Sequence, residues 1–316
     1  MMSKKKSLLE TNATLISRRD LSPTLAVFEL EPDQIASEPV FKSGQYMVIG
    51  LNNEEHPELG GVRRAMSVAS APQKKQSFEF YIRRVAHPTS ENPLTPLLWK
   101  CKTGHRFYLR AKGVGHLTLE HTVPESDPRM KIFVAAGTGL APFLSIVTDL
   151  IDQGKSDHLA KMAVLHGASY AEELGFCERL QSYQTRYGLK YLPTVSRPKP
   201  DGSWKGATGR VEDFFLQDRI GETESALGLE AGMLRPEQCG VLICGLNGTI
   251  STTIERLLPL GFEPDHRQTR QILGFEEESA ASLFYEKYDA EPLFNADDPE
   301  EVARLRSLIP ARSRGQ

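Results

Sequence analysis

The chain has 316 residues, 40% hydrophobic and 25% charged, the balance of a globular protein long enough for two domains rather than a disordered one. Its net charge of −3 offers no basic surplus for nucleic acid or an anionic membrane. Cys101, Cys177, Cys239 and Cys244 form no CxxC pair and no disulfide framework, and the histidines show no metal-ligand spacing, so a reducing cytoplasm and no metal are expected.

The N-terminus, MMSKKKSLLETNATLISRRDL, starts basic but has no apolar core of signal-peptide length. Six segments then read as strands: 14–21, 24–31, 44–52, 63–70, 77–85 and 105–113. Several alternate apolar and polar residues, and Pro, Gly or Asn clusters separate them, which predicts a small antiparallel barrel. A helical piece, LTPLLWKCK at 94–102, interrupts them.

From Lys131 the rhythm changes. Strands are expected at 131–136, 161–169, 190–196, 240–245 and 282–289, with helices at 141–154, 171–188, 211–219 and 251–261. This alternation predicts a five-stranded parallel sheet covered on both faces. The longest uncharged stretch, Ile132 to Thr148, is short for a membrane span and holds Gly137, Gly139 and Pro142, so it reads as strand, turn and helix. The expected domains are 9–124 and 125–290, joined in the Pro- and charge-rich HTVPESDPRM, with an extension at 291–316. In that tail Asp298 can cap a helix, Pro299 fits its first position, Glu301 completes a capping box, and Val302, Leu305 and Leu308 share a face.

The turn VAAGTGLAPF joins the first parallel strand to its helix. Gly137 and Gly139 let backbone N–H groups approach an anion at the helix start. A lone GxG is a weak signal, and this one is not a Rossmann-type fingerprint. The third glycine is missing, and the second strand ends in His166-Gly167-Ala168-Ser169, with no acid for a ribose 2′-hydroxyl. Arg197 follows the third strand and Arg210 sits in TGRV. Two guanidinium groups there suit a 2′-phosphate; alone, they would equally read as solvated surface arginines. RRAMSVAS, at 63–70, reads by itself as an edge strand.

Taken in order, GQYM (44–47), RAMS (64–67), FYIRR (80–84), PLTPLL (93–98), GTGLAP (137–142), VSRP (195–198), TGR (208–210) and CGLNG (244–248) resemble the plant-type ferredoxin–NADP reductase family, with its bacterial ferredoxin/flavodoxin relatives. Their order and spacing over residues 12–288 carry the resemblance. It implies a six-stranded antiparallel FAD-binding barrel followed by an NADP-binding α/β domain. By this resemblance Arg64 would neutralise the FAD pyrophosphate, with Ala65 and Met66 along the flavin. The Ser67 hydroxyl would lie by flavin N5. Tyr81, Ile82 and Arg83 would line the cofactor, and the N–H groups of Leu94 and Thr95 would meet its pyrophosphate. Thr138 would face the nicotinamide and flavin region. Gly137, Gly139, Ser169, Arg197, Arg210, Cys244 and Gly245 would form the NADP side, with Cys244 near nicotinamide C4. Tyr285-Glu286-Lys287-Tyr288 matches the family's closing segment. Tyr288 would therefore stack on the flavin, and Glu286 would join Ser67 and Cys244 as the catalytic group.

Three departures stand out. Met66 replaces the family's usual tyrosine, Ser169 stands where bacterial members often carry arginine, and a tail follows Tyr288. The tail would pack on the protein or against a second subunit, giving a homodimer. The implied activity is electron exchange between NADPH and a one-electron carrier, ferredoxin or flavodoxin, through FAD. Two rival readings remain at this point. One is a reductase serving a separate oxygenase or cytochrome. The other is a non-catalytic flavin- or nucleotide-sensing module.

Overall fold

The computed structural model describes residues 7–276, 280–287 and 291–310. The chain divides into two compact units, Met1–Thr118 with Ala141–Gln153, and Leu119–Leu140 with Gly154–Gln316.

The first unit holds β1 (Ala13–Ser22), β2 (Leu25–Pro32), β3 (Tyr46–Asn52), β4 (Gly61–Ser67), β5 (Phe78–Arg83) and β6 (Arg106–Val114). They pair antiparallel in the order β4-β3-β6-β1-β2-β5. Beyond β4, Val68 bridges Phe80 of β5 and the Ala69 N–H donates to the Glu79 carbonyl, so the two edge strands meet and the barrel closes. Strand alternation sends Met47, Ile49 and Leu51 inward beside Phe28, Phe80 and Phe107. Helix α1 (Leu94–Leu98) adds Leu94 and Leu98 to that core. Helix α2 (Ala141–Asp152) belongs to this unit: Ser145 Oγ donates to the Ser70 carbonyl at 2.7 Å, and Ser43 Oγ donates to Asp149 Oδ2 at 2.9 Å.

The second unit holds β7 (Met130–Ala136), β8 (Met162–Ala168), β9 (Lys190–Val195), β10 (Ala207–Thr208), β11 (Cys239–Cys244) and β12 (Leu283–Glu286). All are parallel, in the order β10-β9-β8-β7-β11-β12. β7 and β11 are central and buried on both faces, which is why they read as unbroken apolar runs. The helices are α3 (Cys177–Tyr187), α4 (Ile220–Leu227), α5 (Asn247–Leu257), α6 (Arg267–Leu273) and α7 (Pro299–Ser307). Among the described residues no helix is long and apolar enough to cross a membrane.

The structure corrects several details. The parallel sheet has a sixth strand, β10, whose two residues are too few to show a period. Residues 211–219 are not an α-helix but a 3-10 turn, Val211–Phe215, followed by α4. In that turn Asp213 accepts the Arg210 N–H and pairs with Arg256 of α5 at 2.7 Å, a competing use of the backbone that stops a longer helix. α3 begins only at Cys177 because Phe176 has a φ of +61°, which breaks the helical path. α6 was hidden by its charges: Arg270 is buried, with its guanidinium donating to the Pro264 carbonyl.

The tail folds back on its own chain. Asp298 caps α7 as expected, accepting the N–H groups of Glu300 and Glu301. The Glu301 carboxylate instead accepts the Asn295 N–H, so the reciprocal box does not close. Leu305 is fully buried, and Val302 and Leu308 pack partly against the same core. Arg304 pairs with Glu255 of α5 at 2.7 Å, and Arg306 Nε donates to the Ile272 carbonyl of α6 at 2.9 Å. The apolar face offered for a second subunit is therefore taken up within one copy. Leu305→Ala should destabilise the second unit by about 2–5 kcal/mol, seen as a lower urea midpoint. An unchanged midpoint would show that α7 adds nothing to the fold.

Candidate functional site

Because the second sheet is parallel, its strands all end on one edge. The residues expected on the nucleotide side follow that edge in order: Arg210 beyond β10, Arg197 beyond β9, Ser169 beyond β8, Gly137 to Gly139 beyond β7, and Gly245 beyond β11. From β7 the chain steps outward to β8, β9 and β10, then returns to β11 on the other side of β7. β7 and β11 thus flank the topological switch point, where open α/β sheets leave a crevice for ligands.

Two glycines shape that point. Gly137 has a φ of +54°, the left-handed region that favours glycine. Gly139 is required for another reason: a Cβ there would stand 2.1 Å from the Cys244 carbonyl oxygen. The sequence expectation gave both glycines to anion approach, but Gly139 serves first to let the Gly137–Leu140 turn press on the end of β11. Cys244 is fully buried, and its register places it between Ala135 of β7 and Glu286 of β12. Cys244 and Glu286 are therefore strand neighbours, as expected, while Ser67 lies in the first unit. Thr138 sits half-buried in the turn. Tyr288 lies outside the described residues.

The arginine side is held by backbone. The Arg197 N–H donates to the Ser169 carbonyl at 2.9 Å, the Gly209 N–H to the Val195 carbonyl at 2.9 Å, and Thr194 Oγ1 to the Gly209 carbonyl at 3.0 Å. The Arg197 and Arg210 side chains themselves are exposed. Among the described residues Arg210, 73% exposed, has a loose partner in Glu212 at 3.7 Å. Burial pushes the Glu212 carboxyl above its usual value, which weakens that pairing further. Under the same edge, His166 is fully buried; burial lowers its imidazole to about 4 against the opposing effect of the Gly137 backbone, so the ring is neutral at pH 7. Its Nδ1 lies 3.2 Å from the Tyr191 hydroxyl. No sequence signal marked this pair, because one histidine in an apolar strand reads as core.

In the barrel, register sets Arg64 opposite Ile49, Met66 opposite Met47 and Ser67 opposite Tyr46. Arg64 and Met66 share one face and Ala65 and Ser67 the other. Arg64 and Ala65 are exposed, Met66 is half-buried, and Ser67 is 9% exposed. Ser70, the second serine of RRAMSVAS, is structural: its Oγ accepts the Glu79 N–H at 3.1 Å. Ile82 sends its side chain into the barrel core and Leu94 does the same from α1, so either can offer a cofactor only its backbone. Tyr81 is buried on the alternate face, and Arg83 is half-buried. Thr95 Oγ1 accepts the Val85 N–H at 3.1 Å. These placements fit nucleotide cofactors. The left-handed turn lies at a switch point, two exposed cations stand on fixed backbone, and an exposed arginine lies on the barrel strand.

The family model described as oxidoreductase NAD-binding domain matches residues 133–254. The phenol hydroxylase P5 protein of Acinetobacter pittii is 30% identical over 280 residues, covering 86% of this chain and 69% of that relative. The flavodoxin/ferredoxin–NADP reductase of Shigella flexneri is 30% identical over 210 residues, 65% of this chain and 74% of that relative. In structure, a ferredoxin NADP+ reductase from Neisseria gonorrhoeae with bound FAD and NADP matches with a TM-score of 0.68 at 21% identity, over 88% of this chain and 98% of its own.

The two glycines should differ in kind. Gly137→Ala must adopt the left-handed backbone, a penalty of about 1–2 kcal/mol. Gly139→Ala must displace a backbone carbonyl and should lower the thermal midpoint more. Circular dichroism melts of both variants rank them; a Gly139→Ala variant as stable as the parent would mean the two strand ends are not in tight contact.

Proposed function

The chain belongs to the ferredoxin/flavodoxin–NADP reductase family of oxidoreductases, and from that membership we propose that it exchanges electrons between NADPH and a separate one-electron carrier, ferredoxin or flavodoxin, through bound FAD. The observation that carries this reading is the single sheet edge that gathers the switch-point turn, the Cys244–Glu286 pair and two exposed arginines. The relatives that are named reductases support an enzyme over the sensing reading.

When bound, FAD supplies the exchange between a two-electron hydride and single electrons. The chain's own residues do the rest. The first unit serves as the FAD domain and the second as the NADP domain. Arg64 neutralises the flavin's pyrophosphate, aided by the N–H groups of Leu94 and Thr95. Met66 lays a polarizable thioether where an aromatic ring would stack. Ser67 offers a hydroxyl hydrogen bond at flavin N5. Gly137 to Gly139 hold the NADPH pyrophosphate through backbone N–H groups. Arg197 and Arg210 clamp the 2′-phosphate, and Ser169 adds a hydroxyl. Cys244 and Gly245 would form a dry floor for the nicotinamide ring, and Glu286, next to Cys244, would hold a proton there. All four cysteines are free, which suits a reducing compartment, so the cytoplasm is the proposed location. A second reading, a reductase serving a separate oxygenase, draws on the match to the phenol hydroxylase protein; it keeps these roles and changes only the acceptor.

Arg197→Ala and Arg210→Ala should each raise the Michaelis constant for NADPH about ten- to a hundredfold, the loss of a charge-assisted contact, and leave NADH nearly unchanged. Equal effects on both nucleotides would remove the clamp. Ser67→Ala and Cys244→Ala should keep FAD yet slow its bleaching by NADPH in stopped flow. Unchanged rates in both would misplace the reacting atoms. Following the bleached protein with ferredoxin, flavodoxin or an oxygenase partner identifies the acceptor.

A further inference from the structure

A buried acid lies beside the proposed arginine clamp, and the clamp has no use for it. Glu212 sits in the Val211–Phe215 turn, two residues past Arg210, and is 2% exposed. The turn is pressed against β8: a Cβ on Gly167 would stand 2.8 Å from the Val211 Cβ. Glu212 Oε1 lies 3.7 Å from Arg210 Nη1, beyond hydrogen-bond reach, and the guanidinium it faces is 73% exposed. Glu212 therefore does not hold Arg210 in place. It sets a carboxyl against a group proposed to take a phosphate.

The other charges around it are engaged. Asp213 accepts the Arg210 N–H through Oδ2 at 2.6 Å and pairs through Oδ1 with Arg256 of α5 at 2.7 Å. Arg219, just before α4, donates from Nη1 to the Thr208 carbonyl at 3.1 Å. The sheet adds no charge on this side. Ile132 and Val134 of β7 and Leu165 of β8 share a core with Val211 and Phe215, and alternation sends His166 to the opposite face. Arg210, Arg219 and Arg256 thus stand with Asp213 and Glu212, leaving one positive charge in excess when Glu212 is ionised and two when it is protonated. Burial already pushes the Glu212 carboxyl above its usual value, so its ionised form is the costly one.

We propose, on the reading that Arg197 and Arg210 hold the 2′-phosphate of NADPH, that Glu212 is a specificity-determining residue: its carboxylate opposes a 2′-phosphate at Arg210, so the phosphorylated nucleotide binds with uptake of a proton by Glu212 and NADH binds without it. The proton comes from water and returns there when the nucleotide leaves. Negative charge arriving at Arg210 raises the Glu212 carboxyl further. As far as Glu212 is concerned, NADP+ affinity is greatest where the free protein holds that proton. It falls as pH rises through the free value and levels off above the bound one. The 2′-phosphate, which loses its second proton near about pH 6, works the opposite way, since its dianion binds more tightly. Glu212→Gln removes the first effect and keeps the second.

The test uses FAD-loaded, full-length protein and titration calorimetry with NADP+ and NAD+, in two buffers of different ionisation enthalpy so that exchanged protons are counted. At about pH 8, Glu212→Gln should bind NADP+ about three- to tenfold more tightly than the parent and NAD+ within about twofold. The gain should shrink toward about pH 5, and over that range the parent should take up more protons with NADP+ than the variant does. A variant that binds NADP+ no more tightly, gains equally with NAD+, or exchanges the same number of protons overturns the proposal. Should Glu212→Gln fail to fold, Glu212→Met, of similar length and with no charge to bury, decides by the same comparison. Arg210→Ala separates the proposal from the reading beneath it. If that variant binds NADP+ as the parent does, the clamp itself fails. If it weakens NADP+ while Glu212→Gln changes nothing, the role of Glu212 alone falls.

Discussion

The approach of Gly139 to the Cys244 carbonyl is the constraint on which the second unit's site depends. β7 and β11 are adjacent parallel strands whose connections leave in opposite directions. Such a pair opens a crevice only if the first connection turns away sharply. Here the turn is so close that a single added carbon would collide with backbone at 2.1 Å. That closeness puts the N–H groups proposed to meet the anion next to Cys244. Register then brings in Glu286 as the partner of Cys244 on β12. The proposed phosphate-binding turn and the proposed reacting groups of the second unit are thus neighbours because of strand order and one missing Cβ.

The same economy recurs where the proposed cofactor roles fall on core residues. Ile82 and Leu94 fill the barrel interior, and Cys244 is buried to zero exposure. A residue used in this way can still present its N–H or carbonyl, since strands and helix starts leave backbone groups at their ends. Ser70 shows the converse: a serine three places from the proposed N5 partner spends its hydroxyl on Glu79 and its carbonyl on Ser145. Packing thus holds the site, while the exposed polar side chains, Arg64, Arg197 and Arg210, remain available for charge.

What the sequence disclosed follows the same line. β7 and β11 were legible because strands buried on both faces must be apolar throughout. The tail helix was legible because Asp298 and Pro299 form a local start signal that needs no tertiary context. α6 was not, because the burial of Arg270 is satisfied by carbonyls that only the fold brings near it. Glu301 was legible as a helix-start acid but not in its partner, since Asn295 reaches it through the loop's own path. The barrel and parallel sheet came from periodicity, the glycine turn and the arginine pair from local chemistry, and the remaining site residues from motif resemblance; Gly139 illustrates what local chemistry leaves out. Its place in GTGLAP was readable, but the carbonyl it makes room for lies on a strand about a hundred residues away.

The two nucleotide-side arginines raise a question of magnitude. Exposed ion pairs contribute about 0–1 kcal/mol, and salt screens charges within about 8 Å at physiological strength. Their Coulomb attraction alone is therefore too weak to distinguish two nucleotides that differ by one phosphate. What raises it is fixation of the backbone that carries them: Arg197 is tied to Ser169, and the turn before Arg210 is tied to Val195 and Thr194. An anchored guanidinium gives up less freedom on binding than one on a free loop, and two such groups can grip one phosphate together. The side chains stay in water until the ligand arrives, so desolvation is incurred only against a dianion that offsets it. On this account the proposed 2′-phosphate selectivity would reside as much in the stitched ends of β9 and β10 as in the charges that project from them.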